Sequence, residues 1–156
     1  MPIDRSHVRP WLIRTDFSDE VKWTTIRQEI DRARDENGET FGRCLNFIEN
    51  EKLSTTSILG VVNSLPESYP SRFVFVADQV TFEHQEAVVL LADFCPDYER
   101  FDVPPSQRNS DEIHTFRVLP SCVNYITCFL GVHLDFQDFM FSLDDDDVFR
   151  AKTVQE

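Results

Sequence analysis

The sequence predicts an α/β protein, a single-domain, three-layer mixed sheet with a parallel βαβαβ core. Two apolar runs, residues 11–17 and 72–78, end in polar turn residues, as buried strands do. Between them, apolar residues recur at helical spacing. This alternation of strand and helix predicts right-handed crossovers, parallel neighbouring strands and helices on both faces of the sheet.

The first strand, residues 11–17, leads into the strongest helical pattern of the chain. Ser18 stands where an N-cap belongs, and Asp19 and Glu20 place negative charge in the first turn, where the helix dipole favours it. The apolar face repeats at i, i+3, i+7 and i+10 and consists of Trp23, Ile26, Ile30 and Ala33. The breaker at residues 35–38 is predicted to end the helix.

A second strand is predicted at residues 43–49, and a second helix follows it. The predicted caps of this helix are three consecutive hydroxyl residues, Ser54, Thr55 and Thr56. Its apolar face is formed by Ile58, Leu59, Val62 and Leu65, up to the stop at Pro66. Residues 72–78 form the third strand. They are apolar on both faces, as a strand with neighbours on each side must be.

Residues 87–94 fit either a strand or a helix. Their β-branched pair favours a strand, whereas the nearby glutamates and alanines suit a helix. We favour a strand that pairs antiparallel with a further strand at residues 115–119, so that the two form a hairpin at one edge of the sheet. The stretch at residues 96–112 is polar and contains prolines, which predicts a surface loop.

The C-terminal quarter predicts two helices. The first begins at Pro120 and carries Val123, Ile126, Thr127 and Leu130. The second begins near Asp135, carries Phe136, Phe139, Met140 and Leu143, and ends at residues 144–147. The domain is expected to span residues 1–150, with residues 151–156 as a frayed tail. The predicted core comprises Leu12, Ile13, Trp23, Ile26, Ile30, Phe47, Phe73, Phe75, Val118, Phe136 and Phe139.

Composition excludes several classes of protein and partner. The chain has 156 residues, 41% of them hydrophobic, and a net charge of −13, which argues against nucleic acid or an anionic membrane as a partner. No run resembles a secretory signal or a membrane span, and the four cysteines show no C-x-x-C spacing. We therefore expect a cytoplasmic protein with reduced thiols. The sequence leaves its oligomeric state open.

Three motifs carry a resemblance to a known family. They are W-L-I-R-T-D-F-S-D-E-x-x-W at residues 11–23, F-V-F-V-A-D at 73–78, and F-R-V-L-P with L-D-F-Q-D-F within 116–139. The chain resembles a family of small acidic proteins known as a domain of unknown function. The resemblance implies a coherent fold and no particular activity. His133 and Leu134 replace an Asn-Met pair of the relatives, so a role for that asparagine is not carried over.

Two carboxylates close predicted strands and are candidate catalytic groups. Asp16 follows the first strand and Asp78 the third, and adjacent parallel strands open at their carboxyl ends into one crevice. Arg14 or Arg117 could complete an active site there. The arrangement is similar to the Mg²⁺ pocket of receiver domains, but it lacks their adjacent acids and their lysine. No metal and no cofactor is expected.

Acidity is the other candidate feature. Residues 93–149 hold twelve acidic residues against three basic ones. Such a field attracts basic proteins and speeds their association. The favoured hypothesis is a binding module that neutralises a basic protein partner, with the loop at residues 95–112 and the acidic end as its surface; a small enzyme is the alternative. The candidate binding residues are Asp19, Glu20, Asp135, Asp138, Asp144, Asp145, Asp146 and Asp147.

Overall fold

The computed structural model describes residues 9–32, 45–54, 56–69, 71–94, 104–130, 134 and 136–150. Within these residues the chain forms one six-stranded sheet with helices on both faces. The strands are β1 (Trp11–Arg14), β2 (Asn46–Glu49), β3 (Phe73–Ala77), β4 (Val89–Asp93), β5 (His114–Val118) and β6 (Val148–Phe149). The helices are α1 (Glu20–Arg32), α2 (Ile58–Ser64), α3 (Gln79–Glu83), α4 (Val123–Phe129) and α5 (Phe136–Met140).

The sheet is mixed, with the strand order β2-β1-β3-β4-β5-β6. β1 is parallel to β2 and β3, as the βαβαβ pattern predicts. β4 is antiparallel to both β3 and β5. The α/β class is confirmed, and so is the strand assignment for the ambiguous segment that became β4. The split into residues 1–150 and a tail at 151–156 stays a prediction, because the tail lies outside the described residues.

The edge of the sheet differs from the prediction. β6 pairs in parallel with β5, so β6 and not the β4–β5 pair forms the edge. Only two residues make this strand, and four aspartates precede it in the sequence. The local sequence pattern at residues 144–149 therefore predicts the end of a helix and no strand. The strand forms because Val148 and Phe149 pair with β5.

Two hydrophobic clusters lie on opposite faces of the sheet. Alternate residues of β1 and β3 point to opposite sides, because side chains alternate along a strand. On one face, Leu12 and Phe75 pack with α1 residues; on the other, Ile13 and Val76 pack with α2 residues. Every predicted core residue is buried except Phe47, which is half-buried and packs edge-on against Trp23. α1 and α2 thus cover opposite faces.

The starts of two helices differ from the predicted caps. The Asp19 carboxylate accepts a hydrogen bond from the backbone N–H of Lys22 at 2.9 Å, so Asp19, not Ser18, caps α1. Ser57 caps α2, since its hydroxyl oxygen accepts from the Gly60 N–H. The predicted hydroxyl run is too early in the chain, because a 3₁₀ turn at Glu51–Leu53 precedes the helix.

Two further segments also differ from prediction. α3 was not predicted, because five residues are too few for a helical period to show. The predicted surface loop includes 3₁₀ turns at Pro105–Gln107 and Ser110–Glu112, and Arg108 between them is buried. The side-chain amide of Asn63 on α2 donates to the carbonyl oxygens of Pro105 and Arg108. Residues 104–112 are therefore docked on α2, while residues 95–103 lie outside the described chain.

None of the described helices is long and apolar enough to cross a membrane.

Candidate functional site

A cleft of about 540 Å³ opens at the carboxyl ends of β1 and β3. The chain leaves β1 towards β2 and leaves β3 towards β4, in opposite directions, so this is the topological switch point of the sheet. We call it the switch-point cleft. Its lining residues are Thr15, Asp16, Phe17, Ser18, Ser54, Thr56, Asp78, Gln79 and Val80.

The switch-point cleft contains both candidate carboxylates. Asp16 follows β1, and its Oδ1 accepts hydrogen bonds from the Ser18 backbone N–H at 2.8 Å and the Ser18 hydroxyl at 2.5 Å. This turn closes the loop between β1 and α1. The structure thus brings Asp16 and Asp78 to one cleft, as the strand-end argument expects.

Asp78 is already paired inside the protein. Arg117 on β5 donates two hydrogen bonds to its two carboxylate oxygens, at 2.7 and 2.9 Å. The backbone N–H of Thr81 also donates to Asp78, so Asp78 caps α3. Partial burial raises the pKa of Asp78, but the hydrogen bonds and charge of Arg117 together with the hydrogen bonds of Thr81 lower the pKa below its usual value. Asp78 is therefore held in its ionised form by Arg117 and by the start of α3, and its catalytic role stays a prediction.

Arg14 does not line the switch-point cleft, but it lies directly behind two residues that do, Asp16 and Phe17. Its side chain is fully buried, and its guanidinium donates to Glu20 at 2.8 Å and to Glu49 at 3.2 Å. The guanidinium also lies over the Phe17 ring, 4.5 Å from the ring centroid. The Trp23 indole N–H donates to the same Glu49 carboxylate. Arg14 thus anchors β1 to β2 and α1.

The described residues of the cleft do not form a complete catalytic set. Its charged members are the two carboxylates, and its other polar side chains are hydroxyls and one amide. Covalent catalysis needs a nucleophile held by a base, and no histidine or lysine of the described chain lines the cleft. Among the residues that the structure describes, no three His, Cys, Asp or Glu side chains are grouped to hold a metal ion.

The acidic end, residues 144–147, is a tight turn before β6. The Asp147 backbone N–H donates to the Asp144 carbonyl oxygen at 2.9 Å, and Asp147 has a φ of 62°. Asparagine and aspartate tolerate this left-handed conformation better than most residues. Asp147 therefore fits the left-handed position of the turn, in addition to carrying charge.

Arg150 neutralises part of the acidic end. Its guanidinium donates to Asp144 and Asp146, each at 2.8 Å, and also bonds to Glu86. These hydrogen bonds raise the pKa of Arg150 and lower the pKa of Asp146 to about 2. Asp145 and Asp147 are exposed and take part in no ion pair within the described chain. Only half of the acidic run is thus free to face a partner.

An aromatic groove lies beside the acidic end. It encloses about 550 Å³ and its apolar lining residues are Tyr125, Leu134, Phe139, Phe141 and Phe149. We call it the Phe141 groove, because Phe141 is 87% exposed at its rim. Asp138, Ser142 and Arg150 complete the lining. Sequence reasoning missed Phe141, although a signal existed: it lies off the helical face that Phe136, Phe139, Met140 and Leu143 share.

The remaining predicted binding residues are scattered. Asp19 caps α1 and Glu20 pairs with Arg14, at the end of β1. β1 and β6 are four strands apart, which is about 19 Å at the usual strand spacing. Asp138 lines the Phe141 groove, and Asp135 lies outside the described residues. The predicted acidic surface is therefore two separate regions.

Comparison with known proteins identifies the family. Residues 9–152 match the model of a family described as Domain of unknown function (DUF6924). The chain belongs to this family. The match includes every element from β1 to β6, so both the cleft and the groove lie within the domain that defines DUF6924. The resemblance found from the sequence motifs is confirmed. Among curated proteins and among solved structures, nothing matches this chain.

Proposed function

We propose that this protein is an acidic binding module that holds a basic protein partner on the Phe141 groove. The observation that carries the proposal is the 87% exposure of Phe141 on an aromatic groove beside exposed carboxylates. A large apolar side chain gains little by facing water, and exposed apolar patches with polar rims mark interaction surfaces. Neutralisation of the partner, as by an immunity protein, is the corresponding biological role.

The Phe141 groove has a floor of packed aromatic rings, as the centres of protein interfaces often have. Tyr125 and Phe149 stack at 6.0 Å between ring centroids, and Phe139 packs edge-on against Phe149 at 5.2 Å. These fixed rings form the floor, so an apolar anchor of a partner would meet a preformed surface. Anchors that fill such pockets supply most of the energy of protein interfaces.

Charge selects the kind of partner. The net charge of the chain is −13. Asp145 is exposed in a hollow that shares Arg150 with the groove, and the exposed Asp147 is two residues before Phe149 of the groove lining. Arg150, which also lines the groove, is already held by three carboxylates. Opposite charge on the partner steers association, whereas a second copy of this chain would be repelled by its like charge. A basic protein fits this surface.

The enzyme hypothesis has less support. Asp78 is neutralised by Arg117 and Arg14 is committed to Glu20 and Glu49. Of the four candidate catalytic residues, only Asp16 keeps an uncompensated charge in the cleft.

The test begins with affinity purification of the partner from extracts of the source organism, followed by binding measurements with the purified partner. We expect Phe141→Ser to weaken binding by about tenfold or more, because truncating an aromatic hot-spot residue of an interface costs about 2 kcal/mol or more. Val21→Ser is the matched control, since Val21 is 79% exposed on α1, away from the groove. A partner that is acidic, or one that binds both variants equally well, would contradict the proposal.

Charge is tested separately. Replacing Asp145 and Asp147 by Asn leaves the Arg150 ion pairs in place and removes two exposed charges. We expect slower association and a weaker dependence on salt, with little change in dissociation, because rim charges act on the association rate. Unchanged association kinetics over a range of ionic strength would refute the electrostatic part of the proposal.

A further inference from the structure

We infer a second binding site, in the switch-point cleft, for a small organic cation: an amine or guanidinium on a short hydrocarbon stem. This site is independent of the Phe141 groove. It lies in a different cavity and is lined by different residues. Its ligand is a single cationic group, whereas the Phe141 groove binds a protein surface.

Position is the first argument. Open α/β sheets bind ligands outside the carboxyl ends of their strands, at the point where the connections diverge. The cleft lies at that point between β1 and β3. Its volume of about 540 Å³ falls in the range of small-molecule sites.

Charge is the second argument. Among the residues that the structure describes, no lysine or arginine lines the cleft, so an anion would meet no positive side chain from them. Arg117 neutralises Asp78 through two hydrogen bonds. Asp16 receives hydrogen bonds from Ser18 on Oδ1, and its Oδ2 takes part in none within the described chain. One carboxylate therefore remains to balance a single positive charge.

The other lining residues specify an organic cation rather than a bare metal ion. Phe17 and Val80, which is 44% exposed, give the cleft apolar walls against which a hydrocarbon stem can pack. Hydroxyl oxygens of Ser18 and Thr56 can accept hydrogen bonds from N–H donors. Ca²⁺ and Mg²⁺ take six or more oxygen ligands, and the structure groups no three His, Cys, Asp or Glu side chains among its described residues that could hold a metal ion.

The Asp16 carboxylate is held in place by its surroundings. Arg14 Nε donates to the Asp16 backbone carbonyl oxygen at 2.8 Å, so the buried arginine fixes the loop that presents the carboxylate. Ser18 fixes one carboxylate oxygen. A carboxylate held at its backbone and at one oxygen loses little freedom when it binds a cation, which favours recognition.

The experiment is a titration followed by ¹H–¹⁵N NMR spectra of the full chain. n-Butylamine and n-butylguanidine are the cationic probes, and 1-butanol and butyrate are the neutral and anionic controls. We expect saturable shifts of the amides at residues 15–18 and 79–80 with the cations alone. Saturable shifts with 1-butanol, no saturable shift with any probe, or shifts confined to other residues would overturn the inference.

Asp16→Asn is the decisive variant, because its side-chain carbonyl oxygen can still accept the Ser18 hydrogen bonds while the charge is lost. We expect it to raise the Kd for n-butylamine about tenfold or more. Glu67→Gln is the matched control: Glu67 is exposed and lies outside both the cleft and the groove lining, so removing its charge should leave the Kd unchanged. Equal affinities in the two variants would overturn the inference, whatever the partner-binding experiments show.

A further arm identifies the source of the cation. Acetyl-Gly-Lys-Gly-amide carries the same amine on a peptide. If it binds more tightly than n-butylamine, the natural ligand is a protein side chain; if it binds more weakly, the ligand is a free amine. Both results keep the cation site.

Discussion

At the scale of single residues, arginines decide which acidic groups are available. Arg117 pairs with Asp78, Arg14 with Glu20 and Glu49, and Arg150 with Asp144, Asp146 and Glu86. Some of these ion pairs join segments that are distant in sequence, such as Arg117 and Asp78. Others, such as Arg150 and Asp146, stabilise a local turn. The paired carboxylates are neutralised by these arginines. A ligand at either candidate site therefore meets less negative charge than the net charge of the chain suggests.

The pairing of Asp78 predicts a pH dependence of stability. Arg117 lowers the folded-state pKa of Asp78, so the pair stabilises the protein above the unfolded-state pKa, and this contribution is lost as pH falls through the lower folded-state value. Asp78→Asn keeps a capping side chain for α3 but removes the ion pair. We expect a loss of about 1–2 kcal/mol at pH 7, since hydrogen bonds to charged groups contribute on that order.

Urea unfolding of both proteins as a function of pH provides the measurement. The difference in unfolding free energy between wild type and Asp78→Asn should shrink as the pH falls below 3.8, because the wild-type carboxylate then becomes protonated and loses its charge. Asp145→Asn, which removes an exposed carboxylate, should show almost no difference at either pH. A difference that is the same at pH 7 and in acid would count against the ion pair as its cause.

At the scale of elements, the acidic end protects the edge of the sheet. Val148 donates its N–H to Asp146 Oδ1, and its carbonyl oxygen accepts from the Asp144 N–H. Phe149 instead accepts from Leu119 beside β5. The groups of Val148 that point away from β5 are thus occupied by the turn, and an exposed strand edge is a template for unwanted pairing.

Removing this protection should loosen β6 alone. Asp146→Ala deletes both the acceptor for Val148 and an Arg150 partner. We expect faster hydrogen exchange of the Val148 and Phe149 amides, with exchange in β1 and β3 unchanged, because edge elements open locally. Asp147→Asn, one residue later, should leave exchange as in the wild type. Uniform acceleration across the sheet would show that the turn supports the whole fold rather than its edge.

At the scale of the whole molecule, β3 joins the two hydrophobic clusters. Phe75 belongs to the cluster under α1, and Val76 to the cluster under α2. β3 also separates the switch-point cleft from the antiparallel half of the sheet, since β1 lies on one side of it and β4 on the other. The stability of the sheet and the geometry of the cleft therefore depend on the same strand.

Phe75→Ala should be severely destabilising. The side chain is fully buried, and removing it leaves a cavity that typically costs about 3–5 kcal/mol, a large share of the stability of an ordinary domain. Phe141→Ala is the matched control and should have almost no effect on stability, since Phe141 is exposed. Chemical unfolding of both variants measures the two values, and similar losses would mean that the burial pattern is wrong.

The sequence by itself determined the elements whose pattern is long or strongly apolar, and the family to which the chain belongs. α1 shows its buried face through Trp23, Ile26 and Ile30, and β3 is apolar on both sides because both sides are covered. Asp16 and Asp78 could be placed together, since carboxyl ends of parallel strands meet at one edge. The periodicity of apolar residues and the alternation of strands and helices along the chain are enough to predict these features.

The tertiary structure alone decided the rest. β6 exists because β5 offers it a partner, and α3 begins where Asp78 caps it. The pairing of Arg150 with Glu86 joins residues 64 positions apart, and no local pattern signals it. Whether a carboxylate is paired and whether an aromatic ring faces water depend on which side chains arrive from distant segments. Contacts between distant segments produce no periodic pattern in the sequence. Only the folded structure therefore shows which carboxylates of the two candidate sites are unpaired and which aromatic side chains are exposed.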